Sequence, residues 1–215
     1  FCLSMWHKVN PLSFRIPYIK NWSANWFADT KDYINQIAVD NKIRESLKKS
    51  LSWLPIGDIV IWRNQEEILV TIFTSKAAFV LGKDQENLSS MEAKLSKLAK
   101  AVVKITVKEV KKPELNAKIV WFTITNQIEK RMPYKRAIKQ AISKTMEKWA
   151  KWIKVKVWGR LNWAEIARAE TFKEWNIPSQ TIRADIDYIA TRAETVYGTI
   201  WIKVWIYKWD IFKRK

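Results

Sequence analysis

The stretch from Val157 to Tyr188, VWGRLNWAEIARAETFKEWNIPSQTIRADIDY, constrains the fold more than any other part of the chain. It contains a Gly159-Arg160-Leu161 turn, a run of helix formers from Ala164 to Glu170 and a loop around Pro178. After the loop, polar Arg183, Asp185 and Asp187 alternate with apolar Ile182, Ala184 and Ile186. A period of two marks a half-buried strand, because successive side chains leave opposite faces of the pleat. The stretch thus predicts a turn, a short helix, a loop and a strand.

The flanking residues extend the pattern. Ile153 to Val157 alternates as a strand, and in Ala193 to Lys208 the residues Ile200, Ile202, Val204 and Ile206 fall on one face. Upstream, Lys111-Lys112-Pro113-Glu114 marks a boundary, with Pro113 suited to the first turn of a helix and Glu114 to its positive end. Leu115, Ile119, Phe122 and Ile128 continue as a helical stripe. A second helix opens near Pro133 and runs to about Lys148, with Ile138, Ala141, Ile142 and Met146 toward a core.

Earlier in the chain, Met5 to Lys20 reads as an extended arm, and Asp29 or Thr30 as the cap of a helix carrying Tyr33, Ile34 and Ile37. A compact unit begins at residue 41. Ile43, Leu47 and Leu51 recur at helical spacing, strands follow at Ile59 to Arg63 and Ile68 to Thr74, and then comes the loop FVLGKDQEN. A helix with Leu88, Met91, Leu95 and Leu98 on one stripe and a strand from Val102 to Val110 close the unit.

Charge narrows the function. The chain carries 39 Lys and Arg against 21 Asp and Glu, a formal +18, which calls for a polyanionic partner. Residues 112–215 hold 22 bases and 10 acids, whereas residues 1–111 hold 17 and 11. Between Lys130 and Arg160 there are 11 bases and one acid, Glu147. Lys135 and Lys139, like Lys144 and Lys148, lie one helical turn apart, and Arg136 sits beside the first pair. These residues form a basic ridge.

No apolar run approaches the roughly 20 residues of a membrane helix, so no membrane partner is expected. The single Cys2 forms no internal disulfide, and a reducing, cytoplasmic location is expected. No phosphate loop, dinucleotide fingerprint, Cys/His metal set or nucleophile elbow occurs, and His7 is the only histidine. Asp185 and Asp187 remain as a possible carboxylate pair, with Arg160 and Arg183 expected nearby. No enzyme, cofactor or metal is expected.

The wording GRL-x-x-AEIAR-x-E followed by P-x-x-T-x-RADIDY, with KVNP near the start, resembles the third protein of the bacterial small ribosomal subunit. The resemblance runs from Met5 to about Phe212. It implies that Met5 is the start and that Phe1 to Ser4 are upstream read-through. It also implies an α+β fold, with a prokaryotic-type KH domain followed by a C-terminal α/β domain of two helices on a small mixed sheet. The expected divisions are an N-terminal arm and helix (1–40), the KH domain (41–111) and the C-terminal domain (112–215).

By the same resemblance the chain is a structural constituent of the small subunit. It would bind rRNA in the head, border the families ten and fourteen, and line the path by which mRNA enters. Lys135, Arg136 and Lys139 match bases implicated in unwinding the message. Gly82, Lys83, Lys8, Lys144, Lys148 and Arg160 are further RNA-binding candidates. A KH module clamps a nucleic-acid backbone with a GXXG loop. Here the loop reads Gly82-Lys83-Asp84-Gln85, so the second Gly is missing and an acid is added. The alternatives are a free-standing KH-type regulator and a KH-containing RNA enzyme.

Fourteen Trp against four Gly reverses the usual order, since Gly alone averages about 7% of a chain. Laid on the family pattern, Trp6, Trp149, Trp152, Trp163, Trp175, Trp201 and Trp209 fall at glycine positions. Trp22, Trp26 and Trp205 match family tryptophans, and the assignment of Trp53, Trp62, Trp121 and Trp158 stays open. The implied cause is a gene that reads UGA as Gly, translated with a code that reads it as Trp. Several of the seven are then expected to be more exposed than Trp26 and Trp205.

Overall fold

The computed structural model describes residues 8–64, 67–82 and 86–212. By contacts the chain divides into two compact units, residues 22–113 and residues 114–212 joined by the arm 8–21.

The first unit is one four-stranded sheet carrying helices. Its elements are β1 (Ala24–Asn25), α1 (Thr30–Ser50), β2 (Ile56–Arg63), β3 (Glu67–Thr74), α2 (Ala77–Leu81), α3 (Glu86–Ala99) and β4 (Val102–Glu109). The strands lie in the order β1-β2-β3-β4, with β2 antiparallel to β3 and the two outer pairs parallel. Ile61, Ile68, Val70 and Ile72 project to one side and pack with Ile43, Leu47 and Leu95 of α1 and α3. Each such side chain contributes about 1.5–3 kcal/mol on leaving water, and together they fix the register.

Three details differ from expectation. α1 runs unbroken across residue 40, because the helical backbone needs no apolar stripe to continue. Its first turns leave Tyr33 and Ile34 exposed, and burial begins only at Asp40 and Ile43. The stretch before Gly82 forms the short helix α2 rather than loop alone. Two residues, Ala24 and Asn25, add a parallel edge strand.

The second unit packs two helices on one face of a sheet. It contains α4 (Ala117–Glu129), α5 (Tyr134–Glu147), β5 (Trp152–Gly159), β6 (Arg168–Glu174), β7 (Ala184–Thr195) and β8 (Gly198–Asp210). The strand order is β6-β5-β8-β7. Every pair is antiparallel, where a mixed sheet was expected, because β7 and β8 form a hairpin and β5 inserts beside β8. Ile153, Val155, Val157, Ile200, Ile202, Val204 and Ile206 lie under Val120, Ile124, Ile138 and Ile142 of the helices.

Two local expectations fail. Ala164 to Glu170 is not a helix. A short 3-10 turn covers Leu161–Trp163, and β6 begins at Arg168 because Gly159 to Ile153 of β5 offer it a ladder from Arg168 to Glu174. Cross-strand pairing overrides the helical propensity of Ala, Glu and Arg. Likewise Pro113 starts only a 3-10 turn, Pro113–Leu115. α4 starts after Asn116, whose side chain accepts from Lys118 N–H at 3.0 Å. Asp187 of β7 accepts from Ala117 N–H at 2.9 Å, so a carboxylate sits at the positive end of the helix.

The arm is anchored by Arg15 and Lys20. Arg15 is fully buried and donates to five carbonyls: Ala184 at 2.6 Å, Pro11 and Thr181 at 2.9 Å, Ser179 at 3.1 Å and Pro178 at 3.3 Å. Burial lowers its pKa, and nearby Asp185 opposes that shift. Lys20 pairs with Asp185 at 2.9 Å.

Candidate nucleic-acid interface

α5 forms because Ala137, Ile138, Ala141, Ile142 and Thr145 recur at helical spacing and all are buried. Packing that face against the sheet leaves Lys135, Arg136, Lys139, Gln140, Lys144 and Lys148 exposed. Met132, Lys135, Arg136, Lys139 and Gln140 line one shallow depression of about 580 Å³. Lys135 Nζ lies 5.9 Å from the ring centroid of Tyr134, which is buried and donates its hydroxyl to Glu170 at 2.9 Å. The helix's only acid, Glu147, accepts from Ser143 at 3.1 Å. Among the described residues, no carboxylate pairs with Lys135, Arg136 or Lys139. A rigid helix thus presents three positive charges on one face, and Lys144 and Lys148 extend them toward the end of the helix, where cations are favoured.

The other candidates are dispersed. Gly82 ends α2 with φ +72°, and a Cβ there would meet the Asn87 side chain at 2.4 Å, so this position requires glycine. Lys83 and the rest of the GKDQ loop lie outside the described residues. Lys8 is exposed, and its charge is felt at Lys154 of β5. Arg160 is committed to the backbone, donating to Ala164 O at 2.9 Å and Tyr197 O at 3.0 Å, and it braces the turn it belongs to.

The carboxylate pair is taken up by structure. Asp185 pairs with Lys20 and Asp187 caps α4, while Arg183 pairs with Asp210 at 3.6 Å rather than with either aspartate. Among the described residues, no group of three His, Cys, Asp or Glu side chains is placed to hold a metal. In the same residues no helix is long and apolar enough to cross a membrane.

Sequence reasoning missed Arg15, the cap Asp187 and the strand lysines Lys154, Lys156, Lys173 and Lys203. The i, i+2 spacing of Lys154 and Lys156 on a predicted strand was the available signal for two of these.

The tryptophans divide by backbone. Trp149, Trp163 and Trp175 adopt φ of +72°, +62° and +63°. They are 84%, 56% and 75% exposed; Trp201 and Trp209 are exposed as well, and Trp152 is half-buried. Trp26 and Trp205 are half-buried and engaged: Trp26 Nε1–H donates to Asp40 at 2.7 Å, and the Trp205 ring lies tilted against Tyr188, centroids 5.1 Å apart. Five of the seven are therefore more exposed than that pair, and Trp6 lies outside the described residues. Trp22 is exposed too, so exposure alone does not separate the groups.

Comparison with known proteins agrees with this architecture. Residues 42–115 match the KH domain, and residues 124–206 match the C-terminal domain of ribosomal protein S3. The small ribosomal subunit protein uS3 of Buchnera aphidicola subsp. Acyrthosiphon pisum (strain Tuc7) is 42% identical over 207 residues, covering 96% of this chain and 89% of the relative. The uS3 protein of Polaromonas naphthalenivorans (strain CJ2) is 40% identical over 210 residues, covering 98% and 71%. With a KH unit, an S3-type C-terminal unit and similarity of this order over 96–98% of its length, the chain belongs to the uS3 family of small-subunit ribosomal proteins, structural RNA-binding constituents rather than enzymes.

Proposed function

We propose that the chain works in the cytoplasm as part of the small-subunit head, binding rRNA there and placing α5 along the path by which mRNA enters. Lys135, Arg136 and Lys139 engage message phosphates and help open structured messages, while neighbours of families ten and fourteen border the protein. The supporting observation is the unpaired trio on a helix whose opposite face is buried, so that the charges are fixed in position by packing. Small subunits carrying Lys135→Gln, Arg136→Gln and Lys139→Gln together should assemble normally yet translate a message with a strong hairpin more slowly, with an unstructured message unaffected. Equal slowing on both messages contradicts the reading, and co-sedimentation failure in moderate salt favours a free-standing KH-type regulator.

We also propose that Trp149, Trp163 and Trp175 stand where the organism's ribosomes insert Gly. A residue with a Cβ pays about 1–2 kcal/mol in the left-handed region. Trp149 occupies the position just past the end of α5 in a Schellman turn: its N–H bonds Met146 O at 3.0 Å, and Ala150 N–H bonds Thr145 O at 3.4 Å. Arg131 holds the same geometry after α4, which shows that the turn accepts a side chain at a cost. It is the coincidence of left-handed backbone and family glycine positions that supports the reading. UGG codons at the seven family glycine positions would refute it.

A further inference from the structure

We propose that the outer face of the C-terminal sheet is a second RNA-binding surface, where Lys154, Lys156, Lys173 and Lys203, joined by Lys8 of the arm, hold phosphates and the Tyr188–Trp205 pair offers a ring surface to a base. The proposal rests on the reading that this protein works on RNA, but it concerns a different face from α5.

Strand register puts these residues together. The buried face of β5 and β8 is Ile153, Val155, Val157, Ile202 and Val204, so Lys154, Lys156, Lys203 and Trp205 leave the other side. Lys154 stands directly opposite Lys173 of β6, and Lys156 directly opposite Lys203 of β8. Trp205 stands opposite both Lys154 and Tyr188. With strands about 4.8 Å apart, the four lysines share a patch roughly 15 Å across.

Fold stability does not explain this arrangement. Like charges directly opposite each other across a sheet destabilise it, and here two such pairs are adjacent. On this face Glu194 pairs with Arg192 at 3.1 Å at the far end of β7, and Asp210 accepts from the Tyr207 hydroxyl and pairs with Arg183. Among the described residues, none of the four lysines pairs with an acid. Lys154 carries the strain most: burial first, and then Lys8, Lys156 and Lys173, lower its pKa. A polyanion laid across the face would relieve that repulsion.

The interleaved rings select RNA over an acidic peptide. Lys154 Nζ sits 5.3 Å from the Trp205 ring centroid, and Trp205 lies 5.1 Å from Tyr188 at 37°. Lysines beside aromatic rings are the combination that binds single strands through phosphates and stacking.

The test is lysine acetylation of the full chain, read residue by residue by mass spectrometry, with and without a uridylate oligomer of roughly 20 nucleotides. Acetylation of Lys154, Lys156, Lys173 and Lys203 should fall several-fold with the oligomer and less with poly-glutamate of equal charge. In the Lys154→Gln, Lys156→Gln, Lys173→Gln, Lys203→Gln variant, the log–log salt dependence of uridylate affinity should weaken by about 3, at roughly 0.7 per contact. Lys154→Arg, Lys156→Arg, Lys173→Arg and Lys203→Arg together should restore it. Protection of Lys135 and Lys139 alone overturns this proposal and leaves the α5 reading standing, whereas protection of the sheet lysines alone does the reverse. Equal protection by poly-glutamate assigns the face to an acidic protein, and no protection anywhere overturns both readings.

Discussion

The loop after α2 and the exposed face of α5 both offer the KH and C-terminal units a means of holding a phosphate backbone, but they hold their charges differently. At the loop, Gly82 takes φ +72° so that the chain can turn beside Asn87, and the following Lys83-Asp84-Gln85 carries one base and one acid. On α5, three bases ride a helix whose other face is locked into a core, and its single acid is engaged by Ser143. A clamp works through backbone approach and needs its second glycine. A ridge works through charge and needs only a rigid support. The difference favours the proposed RNA contact through the C-terminal unit, in line with 22 bases against 10 acids in residues 112–215.

The most severe disturbance of that unit should come from Arg15→Ala. Removing the guanidinium leaves five carbonyls without their donor, those of Ala184 and Pro11 in buried bonds, and should cost about 3–5 kcal/mol in urea unfolding, since a buried partner left alone retains its full desolvation penalty. Arg15→Lys should recover little of this, because an ammonium cannot fork to five acceptors. A loss below about 1 kcal/mol would mean that the arm is not anchored as described. Next in size, Trp149→Gly should stabilise the C-terminal end of α5 by about 1–2 kcal/mol. An unchanged or lowered midpoint would show that the side chain repays its backbone cost.

A smaller effect is confined to alkaline pH. Burial first, and then the hydrogen bond and charge of Asp210, raise the pKa of Tyr207 to about 12 from the ordinary 10. Because the folded value is the higher one, this contribution to stability is complete below pH 10 and is lost as pH rises through about 12. Tyr207→Phe should therefore flatten the fall in stability over that window. An identical alkaline limb in wild type and variant would remove Tyr207 from the account.

Much of this organisation could be read in the sequence wherever one element carried its own period. α5 was bounded to within a residue or so because its apolar stripe and its bases alternate over four turns. The face formed by Ile200, Ile202, Val204 and Ile206 was equally plain, and all four are buried. Failures arose where a distant partner decides. β6 exists because β5 pairs with it, against the propensity of Ala164 to Glu170. The start of α4 is set by Asp187, 70 residues away. Tyr33, Ile34 and Ile37 mark a helix before Asp40 but stay exposed, so nothing in that half reveals that it is continuous with the next. At the functional level, the ridge was visible as a charge run, whereas the sheet lysines became a patch only once register set Lys154 beside Lys173 and Lys156 beside Lys203.

We propose that α5, and not the Gly82 loop, carries the RNA-facing charge of these two regions. The most direct measurement is the salt dependence of the affinity of the full chain for single-stranded RNA in two variants. Lys135→Gln, Arg136→Gln and Lys139→Gln together should weaken the log–log slope by about 2, at roughly 0.7 per phosphate contact, while Lys83→Gln should change it by less than about 0.7. A slope unmoved by the α5 substitutions, or moved more by Lys83→Gln, would contradict the account.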